Sequence, residues 1–280
     1  MAECKLCIHN CKLKEGQRGR CLARICKDGT ICAGNYGIIT SIALDPIEKK
    51  PLSRFYPGSR ILSVGSYGCN LSCPFCQNHG ISHPDDLSRL INSSRYLSPE
   101  DLTALAERFI PEGNIGVAFT YNEPLVGLEY VLDCSKLIHA HGLKTVLVTA
   151  GLAEEETCEA LRGNIDAMNI DLKAFNDRFY DKLIGGSRKT VMNFISKAAG
   201  FSHVELSCLI IPGENDSFEE MDELSAWVAS LDGGKDIPLH VSRFFPRYRM
   251  QDKLPTDVER IYALADVAAK HLNYVYTGNC

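Results

Sequence analysis

At 280 residues, 45% hydrophobic and 23% charged, the chain has the composition of one globular domain with a substantial core and room for an appendage. A net charge of −5 excludes broad, non-specific binding to nucleic acid, and no run approaches the ~18 apolar residues of a membrane span. Met1-Ala2-Glu3-Cys4 lacks a basic stretch leading into an apolar one, so no secretory signal is expected. The expected compartment is the cytoplasm, where the 13 cysteines stay reduced and clustered thiols read as metal ligands.

Residues 1–55 read as a Cys-rich extension and connector, and 56–280 as the main domain. The extension carries Cys4, Cys7, Cys11 and Cys21 at C-x2-C-x3-C-x9-C spacing, then Cys26 and Cys32. Gly16 and Gly19 lie where the backbone must turn back to close a site. So short a segment with so few apolar residues needs a metal staple. Four thiolates suit zinc or an auxiliary iron–sulfur cluster. The competing reading is loose thiols on a flexible arm. Asp45 to Pro57, polar and punctuated by prolines, predicts a connector covering the mouth of the main domain, with Lys49, Lys50 and Arg54 on its solvated face.

From residue 60 strand and helix patterns alternate. Strands are predicted at Ile61–Val64, Ile115–Phe119, Thr145–Val148, Ala167–Asp171, Val204–Ile211 and Pro238–Phe244. Ser98 and Asp101 form an approximate capping box for a helix opening at Pro99. Leu125 to His141 makes a second helix, ended by Gly142. Others are predicted at Ala153–Leu161, Arg188–Ala199, Phe218–Leu231 and Asp257–His271. Leu224, Trp227, Val228 and Leu231 recur at helical spacing as a core-facing stripe. Six strands alternating with helices predict a parallel sheet with right-handed crossovers. Cys134, Cys158 and Cys208 stand alone in apolar or helical stretches and read as small buried hydrophobes.

The first strand runs into Cys69-Asn70-Leu71-Ser72-Cys73-Pro74-Phe75-Cys76. Three thiols spaced C-x3-C-x2-C can hold three corners of an iron–sulfur cluster and leave one iron open. A structural zinc loop is the alternative, with His79 or His83 as a fourth ligand.

This loop, with an aromatic before its last Cys, resembles that of the radical S-adenosylmethionine (SAM) enzymes. Thr120-Tyr121-Asn122-Glu123-Pro124 is similar to that family's GGEP-type motif, with Tyr121 and Asn122 in place of glycines. Asn169-Ile170-Asp171-Leu172-Lys173 is similar to the D-L-K segment of the pyruvate formate-lyase activating type. Asp45-Pro46-Ile47-Glu48-Lys49-Lys50-Pro51-Leu52 and His240-Val241-Ser242-Arg243-Phe244-Phe245-Pro246 resemble the AmmeMemoRadiSam-system subgroup. The five motifs span nearly the whole chain.

The resemblance implies a partial (β/α)6 TIM-type barrel with its site at the C-terminal strand ends. It implies a [4Fe-4S] cluster on Cys69, Cys73 and Cys76, whose open iron takes the amino and carboxylate groups of SAM. Reductive cleavage then yields a 5′-deoxyadenosyl radical that abstracts hydrogen, the protein supplying binding, orientation and exclusion of water. Glu123, helped by Asn122, is expected at the SAM ammonium, the alternative being that it caps the helix that begins at Pro124. Asp171 and Lys173 are expected at ribose hydroxyls and the SAM carboxylate, Asn78 at adenine, and His240 at ribose or adenine. Position 150, often Asn in relatives, is Ala150 here. Arg243, Arg247 and Arg249 could bind an anion or line a solvated rim. The implied partners are a glycyl-radical-type protein substrate and an electron donor such as flavodoxin or ferredoxin. A small molecule or another protein residue is the second substrate class. A non-catalytic, metal-stapled scaffold is the third reading.

Overall fold

The structure, a computed structural model, describes residues 1–280. The extension is built from short pieces. β1 (Ala2–Glu3) pairs antiparallel with β2 (Lys12–Leu13), and β3 (Arg24–Lys27) with β4 (Thr30–Ala33). These elements are too small to bury a core of their own. Cys4, Leu6 and Cys7 form a separate small buried cluster there. β5 (Ile38–Ile39) leads into β6 (Ser41–Pro46), which pairs antiparallel with β7 (Arg60–Gly65).

After β7 come the short helices α1 (His79–Ser82) and α2 (Leu87–Ser93), and β8 (Arg95–Tyr96), which pairs with β5. α3 (Pro99–Arg108) begins as the sequence predicts. Ser98 Oγ accepts from the Asp101 amide, and the Asp101 carboxylate accepts from the Ser98 amide. β9 (Asn114–Phe119) follows, then a 3₁₀ turn at Pro124–Gly127 and α4 (Leu128–Ala140). β10 (Lys144–Thr149), α5 (Glu155–Glu159), β11 (Ala167–Asp171), α6 (Arg188–Ala198), β12 (His203–Ile210), α7 (Phe218–Ala229), β13 (Leu239–Arg243), α8 (Val258–Ala268) and β14 (Val275–Gly278) complete the chain.

All of the larger strands belong to one eight-stranded sheet, in the order β14-β13-β12-β11-β10-β9-β7-β6. Its ends do not pair, so it is a partial barrel. The six expected strands are all present, and two more extend the sheet. Seven run parallel, because Val275–Gly278 adds to β13, and β6 adds an antiparallel edge beside β7. The outward face packs on the helices through Leu62, Val117, Leu147, Met168, Leu206 and Val241, all at most 1% exposed.

A correction concerns residues 46–59. Pro46 lies opposite Arg60, the first residue of β7. The segment therefore crosses the N-terminal ends of the strands, not the C-terminal mouth. There Ile47, Leu52 and Phe55 pack against inward-facing Ile61, Ala118, Val146 and Ala167. The plug is also hydrogen-bonded to the lumen. The Ser53 and Arg54 amides donate to the Glu205 carboxylate at 2.9 and 2.7 Å, and Asn169 Nδ2 donates to Pro51 O at 3.0 Å. Lys50 is not solvated. It is 3% exposed, with Nζ 2.8 Å from Asp45 Oδ2 and 4.7 Å above the Tyr121 ring.

Candidate active site

The cysteine loop begins where β7 ends. Gly68, at φ +94°, precedes it, and a Cβ there would stand 2.4 Å from Cys21 O. Only glycine tolerates both that conformation and that approach. The loop is then fixed by its backbone. Ser72 N donates to Ile184 O at 2.9 Å, Cys76 N to Cys73 O at 3.2 Å, and Gly68 N to Ile81 O at 2.9 Å. The two histidines weighed as zinc ligands serve the backbone instead. His83 Nε2 lies 2.6 Å from Leu71 O, and His79 Nδ1 lies 3.2 Å from Cys76 O.

Cys69, Cys73 and Cys76 are free thiols on this one loop. Burial pushes the Cys69 thiol well above its ordinary range, and the neighbouring Glu123, Cys73 and Cys76 act in the same direction. Burial likewise pushes Cys73 up to about 12, with the Lys173 ammonium pulling the other way. Two of the loop's three thiols thus resist ionising, which suits a site where iron would neutralise them. Three free thiols on one loop, spaced C-x3-C-x2-C, are the donor set of a [4Fe-4S] cluster with one open iron.

Around the thiols stand most of the residues singled out in the sequence. Glu123 is 3% exposed. Its carboxylate accepts from Leu125 N at 3.1 Å, Thr149 Oγ1 at 2.6 Å and Ala150 N at 2.8 Å. It thus caps the turn at Pro124 as well as facing Cys69. Burial raises its pKa and these three donors oppose the rise. Position 150 contributes through its backbone, which is why Ala serves there.

Lys173 Nζ lies 2.7 Å from Asp171 Oδ2 at the end of β11. Burial disfavours the Lys173 charge, but the Asp171 carboxylate and the Cys73 thiol outweigh it and raise its pKa. Asn122 spends its amide on the loop, accepting from Ser66 N at 2.8 Å and donating to Gly68 O at 3.0 Å. Asn78 Nδ2 donates to Tyr121 O at 2.7 Å. His240 shares an inward-facing row with Asp171 and Ser207. Its Nε2 is 2.7 Å from Glu205 Oε2, and its ring stacks on Tyr276. It is thus tied to the lumen and not bonded to the Glu123 and Lys173 group.

Arg249 N donates to Pro74 O at 2.8 Å, so the loop after β13 lies over the cysteine loop. Tyr248 in that loop stacks on His79. Arg243 donates to Thr256 O and packs on Phe245.

Sequence reasoning missed Thr149, Glu205 and the lumen group of Asp45, Lys50 and Tyr121. Tyr121 carried a signal, since it replaces a glycine and keeps a left-handed φ of +70°. Its hydroxyl donates to Asp45 Oδ2 at 2.8 Å. Cys4, Cys7, Cys11 and Cys21 line a single small cavity together with His9, Arg20, Arg24 and Asn70.

Comparison with known proteins places this arrangement. The profile of the Radical SAM superfamily matches residues 63–225. An uncharacterized protein of Methanocaldococcus jannaschii is 37% identical over 99% of this chain and 80% of its own length. A pyruvate formate-lyase-activating enzyme of Clostridium pasteurianum is 26% identical over 65% of this chain and 75% of that one. A GTP 3′,8-cyclase of Pseudomonas syringae is 25% identical over 60% of this chain, which spans 49% of the cyclase. Among solved structures, a domain of pyruvate-formate lyase-activating enzyme from Bacteroides vulgatus matches 59% of this chain and 99% of its own, with TM-score 0.51 at 19% identity. Streptococcus suis SuiB bound to S-adenosylmethionine matches 76% of this chain and 48% of its own, with TM-score 0.55 at 18% identity.

Proposed function

The chain belongs to the radical SAM superfamily, and from that premise we propose that it abstracts a hydrogen atom from a glycine of a partner protein, as an activating enzyme. A radical SAM enzyme uses a [4Fe-4S] cluster and SAM, which together supply one-electron cleavage to a 5′-deoxyadenosyl radical. In this reading Cys69, Cys73 and Cys76 hold the cluster. Lys173, kept charged by Asp171, pairs with the SAM carboxylate. Glu123 accepts from the SAM ammonium with the lone pairs left by its three donors. Asn78 lies against adenine and Asn122 holds the loop in place. His240 and Asp171, on one inward row, bracket the ribose side.

The observation that carries the reading is the Asp171–Lys173 pair beside Cys73, within a chain similar to a pyruvate formate-lyase-activating enzyme over 65% of its length. The similarity to GTP 3′,8-cyclases supports a second reading, a small-molecule substrate. Reduced enzyme, SAM and a candidate glycyl-radical protein, mixed anaerobically, should give a glycine-centred EPR doublet on the partner and one 5′-deoxyadenosine per radical. Deoxyadenosine formed only with a small molecule, and no doublet, would move the assignment to the second reading.

A further inference from the structure

The cavity lined by Cys4, Cys7, Cys11 and Cys21 is not consumed by the chemistry above, and three observations bear on its contents. The first is a buried donor without an acceptor. Arg24 lines the cavity and is 8% exposed, and one of its terminal nitrogens pairs with Glu129. Its Nε–H is buried and meets nothing. A lone buried N–H of a charged group is costly unless an acceptor is meant to be there. Thiolate and bridging sulfide are such acceptors, and hydrogen bonds to sulfur tune iron–sulfur clusters.

The second is number. Four thiols line one cavity, the complement that an all-cysteine [4Fe-4S] cluster takes.

The third is adjacency. Cys21 O packs against Gly68, the residue before Cys69. Asn70, the residue after Cys69, lines the cavity and has its carbonyl 2.8 Å from His9 Nε2. Arg20, also lining it, donates to Ser72 Oγ at 3.1 Å. Three residues of the catalytic loop thus touch the segment that carries the four thiols.

We propose that Cys4, Cys7, Cys11 and Cys21 hold a second iron–sulfur cluster that relays electrons to the cluster on Cys69, Cys73 and Cys76. A low-potential one-electron donor, of the flavodoxin or ferredoxin class, reduces the relay. The relay passes that electron to the catalytic cluster and returns to its oxidised state. No atom is transferred. The relay step rests on the radical SAM reading of the active site, whereas the presence of the cluster does not.

The test uses the full chain carrying Cys69→Ala, Cys73→Ala and Cys76→Ala, reconstituted anaerobically with iron and sulfide. It should retain about four irons per chain and a reduced-state EPR signal. Zinc in place of iron, or no bound metal, overturns the proposal and leaves the active-site reading untouched. Arg24→Lys in that background should shift the midpoint potential of the retained signal. An unmoved potential removes Arg24 from the site. The relay is tested by Cys7→Ser/Cys11→Ser with the catalytic cysteines intact. Deoxyadenosine formation should fall far more with reduced flavodoxin than with photoreduced deazaflavin. Equal losses would refute the relay. Failure of the natural chain to cleave SAM with the photoreductant would count against the active-site reading instead.

Discussion

Lys173 is charged in a place that opposes charge, and Asp171 at 2.7 Å is the reason it stays so. Removing its ammonium leaves Asp171 unpaired and takes away the cation proposed for the SAM carboxylate. Lys173→Ala should weaken SAM binding by about 1.5–3 kcal/mol, the range for a hydrogen bond to a charged group. Titration calorimetry on the reconstituted enzyme measures this, and natural affinity in the variant would take Lys173 out of the site. At this scale the sequence was readable where chemistry and spacing coincide. Glu123 lies beside Cys69, and Asp171 and Lys173 lie beside Cys73. It was unreadable where a backbone group does the work. Ala150 N and Leu125 N hold Glu123, and no side chain announces them. Nor did spacing reveal that Asn122 would spend both ends of its amide on the cysteine loop.

The plug of residues 46–59 is the element the sequence concealed. A polar stretch with prolines reads as a connector in any position. Its placement depends on Glu205, some 150 residues away, for which no local signal exists. Burial disfavours the Glu205 charge, but donors from His203, His240 and the amides of Arg54 and Ser53 outweigh it and lower its pKa to about 2. A carboxylate held below its unfolded value stabilises the fold above that value. The contribution is lost as pH falls from about 4.5 towards 2. Glu205→Gln should therefore unfold at lower denaturant than the natural chain at pH 7, with the difference shrinking below pH ~4. Parallel denaturation curves at several pH values would show it, and a pH-independent difference would mean that shape, not charge, holds the plug. Elements with strong periodicity were legible to within a few residues, as α3 and β11 show. The strand Val275–Gly278 was not, because four residues offer too little alternation to stand out.

At the level of the whole molecule, ligand binding and folding are linked. A protein that binds SAM only when folded gains about 2.7 kcal/mol at a hundredfold excess over Kd. Thermal denaturation of the anaerobic, reconstituted chain should shift upward with SAM. The shift should collapse in the variant with all three loop cysteines changed to Ala, and an undiminished shift there would place SAM elsewhere. The parallel topology was legible because buried strands are continuous apolar runs joined by helices of ordinary length. Closure of one end was not, since it is a property of packing between distant segments. That closure also governs traffic. With Ile47, Leu52 and Phe55 stoppering the strand starts, nothing enters or leaves by that end. Traffic is left to the C-terminal strand ends and to the side where β14 and β6 stay unpaired.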